Sequence, residues 1–265
     1  MNIYLHEIKM GMKEFLIWTI CIIIIVLGFM LMFPAIAKEA DKMNAVISKF
    51  PAVLVKALGL GKFNFAEVLG FFGFIQNYVM LAAAIYGMKL GYAVISKEER
   101  EYTADFLVSK PVTRNTIVGA KGLSAITFVL SQYVIFTWAS TLIISFITSK
   151  TYDFGTLVVL NASLLLVQFF FLTFGMMVSV FMKRVKTVLP TSMGIVFVFY
   201  IIEFLHQSFP DSGLGYITPF AYFNAADILT KGALNSNYLI LSLLLSGIFI
   251  LITHFVFDRK NIASV

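Results

Sequence analysis

Charge is scarce in this chain. Only 13% of its 265 residues are Asp, Glu, Lys or Arg, where a soluble globular domain carries about 25%. So few charges cannot clothe a water-facing surface, which excludes an ordinary soluble domain and makes the bilayer the main solvent. Cysteine is rarer still. Cys21 stands alone inside an apolar run, so an internal disulfide and a cysteine metal cluster are both excluded. The three histidines, His6, His206 and His254, lie far apart at the ends of apolar runs, a placement that reads as interfacial rather than metal-binding. Sequence signatures for nucleotide or hydrolytic chemistry are missing too: no G-x-x-x-x-G-K-[ST], no H-E-x-x-H, no G-x-S-x-G. The expectation is a chain with no catalytic residue, no metal and no bound cofactor of its own. Its net charge of +6 does not read as nucleic-acid binding, because the basic residues gather at the ends of apolar spans, where they set orientation in a membrane.

What the chain has in abundance is apolar length: 60% of its residues are hydrophobic. Six runs stand out, at Phe15–Ala37, Val68–Ile95, Ile117–Thr148, Phe154–Met182, Thr187–His206 and Tyr238–Phe257. Each reaches the roughly 20 residues that a membrane-crossing helix needs. The runs are continuous and do not alternate with period two, which favours helices over a barrel. The predicted fold is an all-α membrane protein of six transmembrane helices in one transmembrane domain spanning 1–265. Ala35-Ile36-Ala37 resembles a signal cleavage site, but the run before it is longer than the 7–15 residues usual for a signal peptide core, so it is read as a span.

With the N-terminus placed inside, the inner side holds twelve Lys and Arg residues and the outer side seven, with Lys89 inside a span. Both termini are therefore expected in the cytoplasm, in the plasma membrane of a bacterium. Residues 1–14 carry Leu5, Ile8, Met12 and then Phe15 at three- and four-residue steps, with Lys9 and Lys13 elsewhere. That pattern predicts an amphipathic helix lying along the inner headgroups before the chain turns inward. The first outer loop is read as two short surface helices, the first carrying Met43, Val46, Ile47 and Phe50. The last outer loop, 207–237, mixes turn formers with Tyr216, Phe220, Tyr222 and Phe223, and Asn224 is placed to cap a short helix. A partly re-entrant segment is expected there.

Polar residues inside spans are functional candidates by default. Gln76, Asn77, Gln132, Gln168 and Glu203 are the candidates for a translocation path, while the amides could equally glue helices together. Lys89 is close enough to an inner end to snorkel. Ala83, Gly87 and Gly91, four apart, make a smooth face for close packing within the chain or against a second copy.

The densest polar stretch is ISKEEREYTADFLVSKPVTRNTIVGAK at 95–121. Glu98, Glu99 and Glu101 crowd the start of a helix predicted over 97–108, where the dipole favours acids. Tyr102 and Phe106 share one face, with Leu107 on the next. Pro111 stops the helix and Thr113 can cap the following span. A solvated loop and a surface for docking a partner protein both fit.

This order of acidic cluster, short helix and Phe106-Leu107-Val108-Ser109-Lys110-Pro111-Val112-Thr113-Arg114, with Lys121 after it, resembles the segment following the second span of ABC-2-type permeases. These are the membrane subunits of ATP-binding-cassette exporters. Tyr216-Ile217-Thr218-Pro219-Phe220-Ala221-Tyr222-Phe223 with Asp227-Ile228-Leu229 is similar to the stretch before the last span in the same family. One departure is Tyr102-Thr103, where the family often has Gly-Thr. The resemblance implies a coupling helix over 97–110, with Glu98, Glu99, Arg100, Glu101, Tyr102, Phe106, Leu107, Lys110 and Arg114 facing a separate ATPase subunit. Residues 1–14, with Leu5, Ile8, Lys9 and Lys13, would be the elbow helix, and 207–237 the re-entrant outer gate. ATP and Mg would sit on the ATPase, and two permease chains, identical or not, would pair in contact with membrane lipid. The implied cargo is amphipathic or hydrophobic: a drug, an antimicrobial peptide or a lipid. The alternative is an ATPase-independent secondary transporter or channel, which wants intramembrane charges or inverted repeats. A membrane-embedded enzyme would need paired catalytic groups within spans.

Overall fold

The computed structural model describes residues 3–51, 54–55, 59–100, 113–182, 187–209 and 213–259. Its described residues are helical or irregular, with no strand. In chain order the helices are α1 (Ile3–Met30), α2 (Phe33–Lys38), α3 (Ala40–Ile47), α4 (Val68–Arg100), α5 (Arg114–Ile147), α6 (Phe154–Phe181), α7 (Val188–Ser208), α8 (Pro219–Tyr222), α9 (Ala225–Lys231) and α10 (Ser236–Arg259). Six of them, α1, α4, α5, α6, α7 and α10, are long and apolar enough to cross a membrane.

Two helices form the centre. In the most apolar stretches of α4 and α6, 67% and 61% of the residues are buried, against 17–28% in the other four. Glycine makes the central contact close. A Cβ on Gly87 would lie 2.5 Å from the Gln168 carbonyl oxygen, and one on Gly175 would lie 2.5 Å from that of Met88. The Ala83-Gly87-Gly91 face therefore packs against α6 of its own chain. Matching residues advance together along both helices, so α4 and α6 run parallel, as alternate crossings must.

The peripheral helices bury one stripe each. On α1 the buried positions are Glu7, Phe15, Thr19, Ile22, Val26 and Met30, a seam at three-, four- and eight-residue steps that continues one face. From Leu16 onward the opposite face of α1, with Leu16, Ile17, Ile20, Ile24 and Leu27, is apolar and exposed, as a lipid-facing surface requires. Local signals set the helix starts. Thr113 accepts a hydrogen bond from the Thr116 N–H at 3.3 Å at the head of α5. Asp153 accepts from the Gly155 and Thr156 N–H groups at the head of α6. The Thr156 hydroxyl, and then these backbone donors, hold the Asp153 carboxyl below its ordinary pKa. Asn224 caps α9 by accepting from the Ala226 N–H at 3.0 Å, and Gly232, at φ 65°, ends it.

One expectation about the first span differs from what is observed. Residues 3–14 do not form a separate helix before a turn. They are continuous with the span in one unbroken helix, Ile3–Met30. Their apolar stripe faces out of the bundle. Leu5 is 60% exposed and Met12 also faces out, while Glu7 turns inward. Favourable partners for an acid lie inside the bundle, and apolar side chains are as well solvated by lipid as by protein. In the loop between the first two spans α3 matches the first predicted short helix, with Met43 and Ile47 packed on the core. Most of the second, at 54–58, lies outside the described residues.

Candidate functional site

Buried charge concentrates at the end of the bundle where α1 begins. Glu7 is 7% exposed and Lys121, on α5, only 2%. The Lys121 Nζ donates to Glu7 Oε1 at 3.1 Å and to the Val94 carbonyl at 3.0 Å. Lys97, at the end of α4, donates to the other carboxylate oxygen, Oε2, at 3.3 Å. One carboxylate thus joins three helices. Removing such ions from water costs several kcal/mol each, and only close pairing with further hydrogen bonds offsets it. Charge pairing with the two lysines holds the burial-strained carboxylate in place and accounts for its inward turn.

The pairing is repeated two turns further along α1. Glu14 is bonded to Lys89 of α4. As the acids advance from 7 to 14 the lysines retreat from 97 to 89, the register of antiparallel helices. Above this second rung Trp18 stacks on Tyr86, ring centroids 5.5 Å apart. On the other side of α1, Phe15 stacks on Phe128 of α5 at 5.2 Å. Gly11 leaves room there, since a Cβ at that position would lie 2.7 Å from the Phe128 ring.

Deeper in the bundle the polar residues are amides. Gln168 Nε2 donates to Gln132 Oε1 at 2.5 Å, and Gln132 Nε2 to Thr19 Oγ1 at 3.3 Å. The chain of contacts links α6, α5 and α1. Gln76 Nε2 reaches the Leu160 carbonyl at 3.1 Å, and Asn161 Nδ2 the Ser140 hydroxyl at 3.0 Å. Gln76, Gln132, Gln168 and Asn161 are all fully buried within one chain; Asn77 is half-buried. Asked as path residues, the amides sit where they join helices of a single chain.

At the opposite end Glu203 is buried on α7 and accepts from Gln207 Nε2 at 2.9 Å. Glycines of the 39–67 and 207–237 loops back this turn. A Cβ on Gly59 would lie 3.2 Å from Gln207 Oε1, and one on Gly215 would lie 2.7 Å from His206 Nε2. Beyond it the chain folds back into the bundle. The Thr218 hydroxyl donates to the Phe199 carbonyl at 3.0 Å, and the Tyr222 hydroxyl to the Tyr216 carbonyl at 2.6 Å. Phe220 packs against Phe171 and Tyr200 at 5.5 and 5.4 Å. Phe199 lies nine residues before the end of α7, roughly 13 Å along a helix, so the segment descends well below the helix ends.

Of the residues expected to face an ATPase, Glu98, Glu99 and Arg100 form the last turn of α4, which continues past its predicted end at Ile95, and Arg114 begins α5. Glu101, Tyr102, Phe106, Leu107 and Lys110 lie outside the described residues. Lys9 and Lys13 are exposed on α1, and Ile8 is half-buried. Glu7 and Glu14 were missed by reasoning from sequence. The available signal was the seven-residue spacing of two acids on a helix otherwise bare of acid, facing Lys89 and Lys97 in a neighbouring span. Among the described residues no cluster of three or more His, Cys, Asp or Glu side chains is placed to hold a metal.

Six long apolar helices around a close-packed glycine-lined centre, with charged residues confined to the helix ends and loops or paired inside, define a multi-pass α-helical membrane protein. Residues 1–262 match the family described as ABC-2 family transporter protein, and the chain belongs to that family. It is a membrane-embedded permease component of an ABC transporter. A comparison with curated proteins returned no match.

Proposed function

We propose that this chain is the permease subunit of an exporter driven by a separate ATP-binding-cassette ATPase. The observation that carries the reading is family membership across 1–262, in a chain that lacks a P-loop of its own. The 97–110 segment joins α4 to α5 at the end of the bundle that also bears the N-terminus and the Glu7 ion pairs. That shared location supports the cytoplasm as the side of both. Residues 97–110, with Phe106 and Leu107 as apolar contacts, dock in a cleft of the ATPase, and the start of α1 lies beside them. ATP and Mg bind the ATPase, two permease chains pair, and the cycle moves an amphipathic or hydrophobic cargo outward. The returning segment 207–237 serves as the outer gate. Nucleotide binding shifts the conformational balance only through contacts that differ between the two states, so the docking segment must sense that difference.

The test is Phe106→Asp or Leu107→Asp in the assembled transporter. Each variant is expected to insert in the membrane normally and to lose permease-dependent ATP hydrolysis. Unaltered hydrolysis in both would remove 97–110 from the docking role.

A further inference from the structure

Glu7 occupies a position that ordinary packing does not call for. It sits on a helix where Leu5, Met10 and Met12 face outward and Ile8 is half-buried against the Phe15, Tyr86 and Phe128 cluster, and its carboxylate is turned in and divided between two lysines. Those lysines are the two stems of a single connection. Lys97 lies at the end of α4 and Lys121 two turns into α5, so the chain between them is the segment proposed above to meet the ATPase. Lys121 also grips the Val94 carbonyl, which ties the stems directly. The carboxylate adds the third element, α1.

We infer that Glu7 is a positioning residue of the ATP-driven cycle, locking α1 to both stems of the 97–121 connection so that motion of that connection carries α1 with it. The inference rests on the proposed function. Its physical basis is the cost of separation. Pulling α1 away from the α5 stem would leave the buried Lys121 ammonium without its counter-charge, and pulling it from both stems would strand the buried carboxylate as well, which is far less favourable than moving the three helices together. The second rung, Glu14 with Lys89, keeps the α1–α4 register during that motion: a slide by one helical turn would break both rungs at once. A connection lacking this lock could still dock an ATPase, but its motion would dissipate in the loop rather than reach the first span.

The test uses the full chain assembled with its ATPase in lipid nanodiscs. Cys21 is the sole cysteine, so Cys21→Ser with Met10→Cys leaves one exposed thiol on α1 for an environment-sensitive fluorophore. Trapping the complex with ATP and vanadate is expected to change the fluorescence when Glu7 is intact. Glu7→Gln, in a complex that still contains both subunits, is expected to lose that change, and Glu7→Asp to keep a part of it, because a shorter carboxylate can still be reached by two flexible lysines. Should Glu7→Gln not assemble, Lys97→Met keeps the Glu7–Lys121 pair and releases only the α4 stem; a reduced change supports the lock. A full response in Glu7→Gln, or in Lys97→Met when that variant is the one read, overturns it, since a residue that only stabilises the fold would leave the response intact once the complex had formed. A labelled complex with Glu7 intact that hydrolyses ATP with no change at residue 10 overturns the lock and leaves the proposed function standing. Absence of any ATPase partner overturns both.

Discussion

A methyl group on Gly91 would lie 1.9 Å from the carbonyl oxygen of Leu172. No side chain fits that gap, and the obstruction is backbone that cannot rotate away. Gly91→Ala should therefore force α4 and α6 apart and cost about 3 kcal/mol or more, the upper range for overpacking. Gly194→Ala is the control. It meets nothing within 4 Å in the interior of α7, and should gain about 0.5–1 kcal/mol by relieving the entropic cost of a helical glycine. Thermal unfolding in detergent compares the two, and equal melting points would contradict the close approach.

The amide chain from Gln168 through Gln132 to Thr19 makes a quantitative prediction. Gln132→Leu and Gln168→Leu should each destabilise the bundle, but the double variant should cost less than their sum, because the second change no longer orphans a partner. The coupling expected for a hydrogen bond between membrane helices is about 0.6–2 kcal/mol. A double-mutant cycle on unfolding free energy measures it. Additive effects would mean that the amides act separately, which would favour a role along a path.

Asp153 gives a pH dependence with a definite sign. Its folded carboxyl pKa is depressed by the Thr156 hydroxyl and the two backbone donors, so the cap contributes above the unfolded value of about 3.9. The contribution fades as pH falls through the lower folded value. Amide exchange at Gly155 and Thr156, corrected for intrinsic rates, should lose protection on acidification. In Asp153→Asn, which accepts the same bonds without titrating, protection should stay flat. A matching acid response in Asp153→Asn would assign the effect to another group.

Much of the fold was legible because a bilayer demands long continuous apolar runs, and the six runs read from sequence correspond to the six long helices. Single caps were legible too, at Thr113 and Asn224, since their partners are two or three residues away. The Gly87 and Gly91 stripe was visible but its partner was not, because the facing Gly175 is 84 residues beyond Gly91. The ion pairs at Glu7 escaped for a related reason. Lys97 and Lys121 are 90 and 114 positions distant. Of the coupling helix proposed over 97–110, residues 101–110 lie outside the described residues, so the proposal rests on the family and on the placement of 97–100.

Purification from the native membrane shows whether a separate ATPase drives this chain. The tagged chain, extracted from its native membrane in mild detergent, should carry with it a subunit that hydrolyses ATP in a vanadate-sensitive way. The same preparation from a Phe106→Asp, Leu107→Asp double variant should contain the folded permease without that activity. A monodisperse, folded wild-type chain that brings no ATP-hydrolysing subunit would contradict the account.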